Sequence, residues 1–261
     1  MPITRQIKKT VKIPTVNIPL QMCNWVTANN KENPFRLFLY LKLSYPSGKI
    51  QWSKVDVDLA SITLCNTPKT IKSNFKKVQA LGWLYYDDEF KFYRLYALDK
   101  IRDNNDWELR RAFPFNYKDL THIRASLGAI IYTQLYKTYC KKHFKRSSNV
   151  LKSRSANESI AVSCDFKKYA EVSVLSVEAF YGLTINKAVR LKQEAQKHGL
   201  IEVKKQYFKI KKNEAYASKK SAEYREQRQN VVFINGEYYL QLIDKIYSDL
   251  YFKRRKKIET L

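Results

Sequence analysis

The amino-acid sequence predicts a mixed α+β protein, mainly helical, built as two tandem units that each hold three helices and a β-hairpin. Three observations carry this. Between Thr67 and Ala97 the chain reads as a capped, lysine-rich helix, a glycine stop and two aromatic strand runs. The same order returns from Thr184 onward, 117 residues later, measured as Gly199 minus Gly82. Across 261 residues, 49 lysines and arginines stand against 24 aspartates and glutamates, a formal net charge of +25.

The elements follow in chain order. Residues 1–33 read as an N-terminal arm: Val11, Ile13, Val16 and Ile18 alternate, but Pro14 and Pro19 interrupt them, which suits an edge strand or an extended segment. Its cations (Arg5, Lys8, Lys9, Lys12) can reach phosphates or a neighbouring subunit. The first unit is expected over 34–110. Pro34–Leu43 is apolar enough for a buried helix, Lys49–Trp52 suits a small strand, and Val55–Leu64 a second helix, with Cys65-Asn66 as the turn. Thr67 then caps a helix that Pro68 begins. Ile71, Phe75, Val78 and Leu81 recur at helical spacing and predict the inward face, while Lys69, Thr70, Lys72, Ser73 and Lys76 look outward. Gly82 ends the helix in a left-handed conformation, and Trp83–Tyr86 and Phe90–Ala97 flank Asp87-Asp88-Glu89 as a hairpin.

The polar run Ile101–Trp107 and the Pro114 segment place the boundary, so the second unit is expected over 111–242. Tyr117–Phe144 predicts one long amphipathic helix in spite of Gly128, and Ser147–Ser159 a loop. Ser176–Tyr181 is a short helix and Gly182-Leu183 a turn; Thr184 caps INKAVRLKQEAQKHG, and LIEVKKQYFKI turns strand-like. Lys192 falls where the first unit has Phe75, a mismatch that a snorkelling stem can absorb. The second ribbon is longer: Asn213–Asn230 is helix-prone, and Val231–Ile234 and Tyr238–Leu242 flank Asn235-Gly236-Glu237, a hairpin signal. Residues 243–261 are expected as a basic C-terminal helix, Ile243–Phe252, and a tail that carries the run Lys253–Lys257.

Helix, tight turn, basic helix and ribbon in that order resemble the winged helix-turn-helix superfamily. The resemblance implies that the second helix of each pair enters the major groove of duplex DNA. There Arg190 can donate twice to a guanine edge and Asn186 can pair with adenine, joined by Thr184, Lys187 and Gln193. The first unit offers Thr67, Lys69, Thr70, Lys72, Ser73 and Lys76, a set better suited to phosphates than to bases. Lys91, Arg94, Lys204, Lys205 and Lys209 would lie over the flanking backbone, with Lys211, Lys212, Arg254 and Arg255 adding phosphate contacts. Two such units in a basic chain of this size resemble the replication initiator proteins of plasmids and phages. That resemblance implies binding to origin repeats, an N-terminal unit able to form a homodimer, and recruitment of a host replication helicase. A phage or mobile-element transcription regulator, or a winged-helix module that binds another protein, remains an alternative.

Catalysis is not expected. The three histidines, His122, His143 and His198, fall in no metal-binding spacing, and no glycine-rich phosphate loop is present. Asp56-x-Asp58 is explained by helix capping. No cofactor or metal is expected. Cys23, Cys65, Cys140 and Cys164 are scattered and read as packing residues in a reducing cytosol. No apolar stretch is long enough to span a bilayer, and the basic first residues lead into no apolar leader, so a cytoplasmic protein of a bacterial or phage-infected cell is expected.

Overall fold

The computed structural model describes residues 13–108, 111–152, 169–213 and 231–254. The chain is mixed α+β with small antiparallel sheets, and it divides into two compact units, 1–123 with 251–261 and 124–250. The first unit runs to Ile123 and takes in the described segment from Tyr251 to Arg254.

In the first unit, strand β1 (Val16–Pro19) leads directly into helix α1 (Leu20–Ala28). The expected arm is therefore structural from Val16 on: Ile18, Leu20, Met22, Cys23 and Val26 are buried. Helix α2 (Glu32–Ser44) is the central rod, apolar nearly all round, with Phe35 and Leu37–Leu41 buried. Strand β2 (Lys49–Ile50) follows, then α3 (Lys54–Thr63), α4 (Pro68–Ala80) and the hairpin of β3 (Leu84–Asp87) and β4 (Phe92–Leu95). These strands form one sheet in the order β2-β4-β3. Trp83 lies at the centre, with ring centroids 5.2 Å from Phe38, 6.0 Å from Trp25 and 6.2 Å from Phe35. The run expected as an irregular boundary holds helix α5 (Leu98–Asp103) and strand β5 (Arg111–Phe115). Strand β5 is the middle of a second sheet, with β1 on one side.

The predicted long helix is divided at His122 into α6 (Tyr117–Thr121) and α7 (Ile123–Lys152), the latter running through part of the expected 147–159 loop. Strand β6 (Ala170–Glu171), helix α8 (Val174–Tyr181), helix α9 (Ile185–Lys197) and strand β7 (Glu202–Lys204) repeat the first unit's order. Gly128 is a requirement here: a Cβ on it would run into the Leu191 carbonyl oxygen and lie 3.0 Å from the carbonyl carbon, so its absence lets α7 and α9 touch through backbone. One turn on, the Tyr132 hydroxyl donates to the Ala188 carbonyl at 3.0 Å.

After β7 come β8 (Tyr207–Ile210), β9 (Val231–Ile234) and β10 (Glu237–Gln241), a separate sheet in the order β8-β10-β9. Asn235 and Gly236 turn the β9–β10 hairpin with φ of 50° and 84°, as an Asn-Gly pair does in a type I′ turn. The helix expected over Ile243–Phe252 is not formed. Strand β11 (Lys245–Tyr247) lies there and pairs with both β6 and β7. Strand β12 (Lys253–Arg254) then completes the first unit's sheet on β5. Buried Ile246 and Phe252 anchor this return, and the backbone of the segment finds its hydrogen-bond partners on β6, β7 and β5 rather than within itself.

Candidate nucleic-acid interface

The two helix pairs share one frame. Ser53 caps α3 and Ser173 caps α8; Thr67 caps α4 and Thr184 caps α9, each threonine accepting from the backbone N–H three residues on, at 3.3 and 3.4 Å. Each second helix spans 13 residues and stops at a glycine with positive φ, 65° at Gly82 and 66° at Gly199. The sheet orders β2-β4-β3 and β6-β11-β7 match as well. Tyr86 pairs with Tyr93 as Val203 pairs with Ile246, so the partner of β3 in the first unit, β4, corresponds to β11. The second ribbon is thus β7 and β11, with the sheet β8-β10-β9 inserted between them, rather than β7 continuing into the β9–β10 hairpin.

The outward faces are where the sequence places them. On α4, Lys69, Lys72, Ser73 and Lys76 are exposed, Ile71, Phe75 and Val78 are buried, and Leu81 is the half-buried C-cap. Asn74 takes a fourth inward place. Thr70 is half-buried and its hydroxyl lies 2.9 Å from that of Thr67, so both belong to the cap. The helix carries four lysines and no acidic residue, the fourth being exposed Lys77, which the sequence reading missed although it stands one turn beyond Ser73. On α9, Asn186, Arg190 and Gln193 are exposed at spacings of four and three and share one face; Lys187 is half-buried. Glu194 replaces Lys77 at the equivalent site and lies 3.8 Å from His198.

The ribbon residues are less uniform. Lys91 is exposed at a left-handed turn position with φ of 55°. Arg94 is committed within the hairpin: its Nε lies 2.7 Å from Asp87 Oδ2, as a charge contact without hydrogen-bond alignment, and its guanidinium sits 5.0 Å from the Phe92 ring and 5.3 Å from Phe90. Lys49 on β2 is exposed, 5.6 Å from Phe92, and adds a cation the sequence reading passed over. In the second ribbon Lys204 lies 4.0 Å over the Tyr169 ring and Lys205 is exposed beside it. Lys209 belongs to the inserted sheet and pairs with Glu237, which raises the lysine pKa and lowers that of the carboxyl through their mutual hydrogen bond. Lys211 and Lys212 follow it, exposed. Arg254 is on β12 in the first unit, opposite Arg111, with Lys253 next to it; Arg255 lies outside the described residues.

Asp56 serves the start of α3. Burial alone would raise its carboxyl pKa, but hydrogen bonds from the Ser53 and Tyr45 hydroxyls and the Ser53 N–H outweigh that and hold it below the usual carboxylate range. It completes a capping box on α3. Among the described residues no group of three or more His, Cys, Asp and Glu is placed to hold a metal ion, and no helix is long and apolar enough to cross a membrane. Cys23 is buried as expected, Cys140 is half-buried, and Cys164 lies outside the described residues. Cys65 is exposed in the α3–α4 turn with φ of 48°, so it is a turn residue rather than a packing one. Searches of protein-family models, curated proteins and solved structures find no match to this chain.

Proposed function

We propose that the protein binds double-stranded DNA in a sequence-specific manner through two winged helix-turn-helix units, and that it serves replication initiation on a plasmid or phage by binding repeated sites. The observation that carries the reading is the duplicated frame: two 13-residue helices, equally capped and stopped, whose free faces bear cations and amides while their other faces close a core. A surplus of 25 positive charges supports a polyanionic partner, because uncompensated like charge opposes compaction and draws counter-charge. Arg190, Asn186 and Gln193 have the donors and acceptors for base edges; Lys69, Lys72, Lys76 and Lys77 suit phosphates. The second unit then supplies most of the base readout and the first most of the phosphate grip.

The test is selection of duplexes from a randomised pool by the full chain, followed by anisotropy titrations of the selected site at several salt concentrations. With about six to ten phosphate contacts, affinity should fall by roughly three to five orders of magnitude between about 50 and 200 mM salt. A chain that enriches no sequence, or whose binding ignores salt, is not this kind of reader. Selected sites that recur as direct repeats beside an origin support the initiator role, and one palindrome at a promoter supports the regulator.

A further inference from the structure

The sheet inserted between β7 and β11 stands where the first unit has only the short turn between β3 and β4, and its two faces differ in chemistry. Register aligns Ile210, Tyr238 and Phe233 across the three strands, and likewise Phe208, Leu240 and Val231. Side chains alternate along a strand, so these six share one face, and every one is apolar or aromatic. Phe208 and Phe233 are each 62% exposed, and Phe233 stands 4.8 Å from the Tyr238 ring. The other face is mixed: Tyr207, Val232 and Ile234 lie there beside Lys209, which pairs with Glu237, and the Tyr239 hydroxyl donates to the same carboxylate at 2.8 Å. Glu237 is the one acidic residue on the three strands, and exposed Lys204, Lys205 and Lys212 border them.

Exposed rings on a sheet face, bordered by lysines and with the local acid already taken, fit a polyanion that also offers flat apolar surfaces. A second copy of this chain fits poorly, since it would bring another +25. Duplex DNA fits poorly as well, because its bases are stacked and paired. We propose that this face is a platform for single-stranded nucleic acid, on which unpaired bases stack against Phe208 and Phe233 while phosphates meet Lys205 and Lys212. Stacking of this kind tolerates any base, since each has a π-face, and the flanking cations set the strand's path. The platform is a binding site separate from α4 and α9, and it does not depend on the duplex reading.

The experiment uses the full chain and labelled 20-mers of oligo-dT, oligo-rU and an abasic strand with the same phosphates, beside a mixed-sequence duplex. Wild type should bind at least one base-bearing strand more tightly than the abasic one. Phe208→Ala with Phe233→Ala should lose about fivefold or more per ring on that strand. The double variant should leave abasic and duplex binding unchanged, and Phe208→Tyr with Phe233→Tyr should keep wild-type binding. Preference for oligo-dT assigns the strand as DNA and preference for oligo-rU as RNA, while equal affinity for both, each above the abasic strand, supports a platform that takes either. Equal wild-type affinity for base-bearing and abasic strands overturns it, as does unaltered binding by the alanine variant. A wild-type dimer in light scattering that the alanine variant dissociates without nucleic acid overturns it too, and assigns the face to a second copy. Failure of duplex binding alone strikes the helix reading and leaves the platform standing.

Discussion

The first unit seals the junction of α4 with its sheet by aromatic packing, and the second seals the matching junction of α9 with an ion pair. Phe75 stacks on Trp52 at 4.6 Å and meets Tyr93 edge-on at 4.9 Å. At the position of Phe75 the second unit has Lys192, whose Nζ lies 2.5 Å from Asp244 Oδ2, both side chains largely buried. Val172 and Ile246 hold the places of Trp52 and Tyr93. The two seals match what each unit needs fixed. In the first, β3 and β4 are joined by a tight turn and need only be covered. In the second, the chain leaves at Lys204 and returns at Asp244, so the return point must be fixed. Asp244 does this twice, through Lys192 and through its carbonyl, which accepts from the Val172 N–H at 3.2 Å.

The largest test breaks that pair. Lys192→Met leaves Asp244 buried without its cation and should cost about 3–5 kcal/mol of second-unit stability. Adding Asp244→Leu should restore most of it, because an apolar pair of similar volume is often neutral. All four tryptophans, Trp25, Trp52, Trp83 and Trp107, lie in the first unit. Urea unfolding followed by tryptophan emission should therefore hold its midpoint while far-ultraviolet circular dichroism shows the loss. Coincident shifts in both signals would show that the units unfold together and that the comparison between them does not extend to stability.

Gly128→Ala comes next, at about 1–3 kcal/mol in the same circular dichroism transition, since the added methyl meets the backbone of α9 and not a side chain that can swing away. An unchanged midpoint would mean that α7 can draw back without loss. For DNA, Arg190→Ala should weaken the selected duplex by about 1–3 kcal/mol and relax one base position. Lys72→Ala should weaken all duplexes alike and lower the salt slope by about one. Equal effects on preference from the two changes would end the division of labour between α9 and α4.

The smallest effect is on pH dependence in the first unit. Lys42 donates to the Tyr96 carbonyl at 2.7 Å beside Phe38, and burial pushes its pKa down from 10.5 to about 8. The unfolded chain then binds this proton more tightly than the folded one, so stability should rise from pH 8 toward 9.5 as the buried ammonium becomes neutral. Above about pH 10 unfolded tyrosines ionise and reverse the trend. Lys42→Met should remove the rise, read as a flatter tryptophan midpoint across pH 8–9.5.

Much of the frame was legible from residues alone, because caps, glycine stops and helical periodicity are local. Thr67, Pro68 and Gly82 define α4, and Thr184 and Gly199 define α9, without reference to any distant partner. The Asn235-Gly236 turn belongs to the same class. Strand partners were another matter. Lys245–Tyr247 and Lys253–Arg254 lie in a short apolar-basic stretch that reads as helix by composition, and only pairing across more than 40 residues of chain with β6 and β7, and farther still with β5, makes them strands. Leu20–Ala28 likewise shows too short a pattern behind Pro19 to declare itself, and burial against the first unit's core makes it a helix.

The capped, cation-faced helices can be read from residues alone, since caps and faces depend on spacing within a few turns, and the net charge from composition. Three features wait on long-range contacts: the three-stranded sheet inside the second ribbon, the answer of Asp244 to Lys192, and the closing of the first unit by the C-terminal segment. Each of those requires residues far apart in the chain to meet, and the free energy of such a meeting lies in packing and pairing that no local pattern encodes.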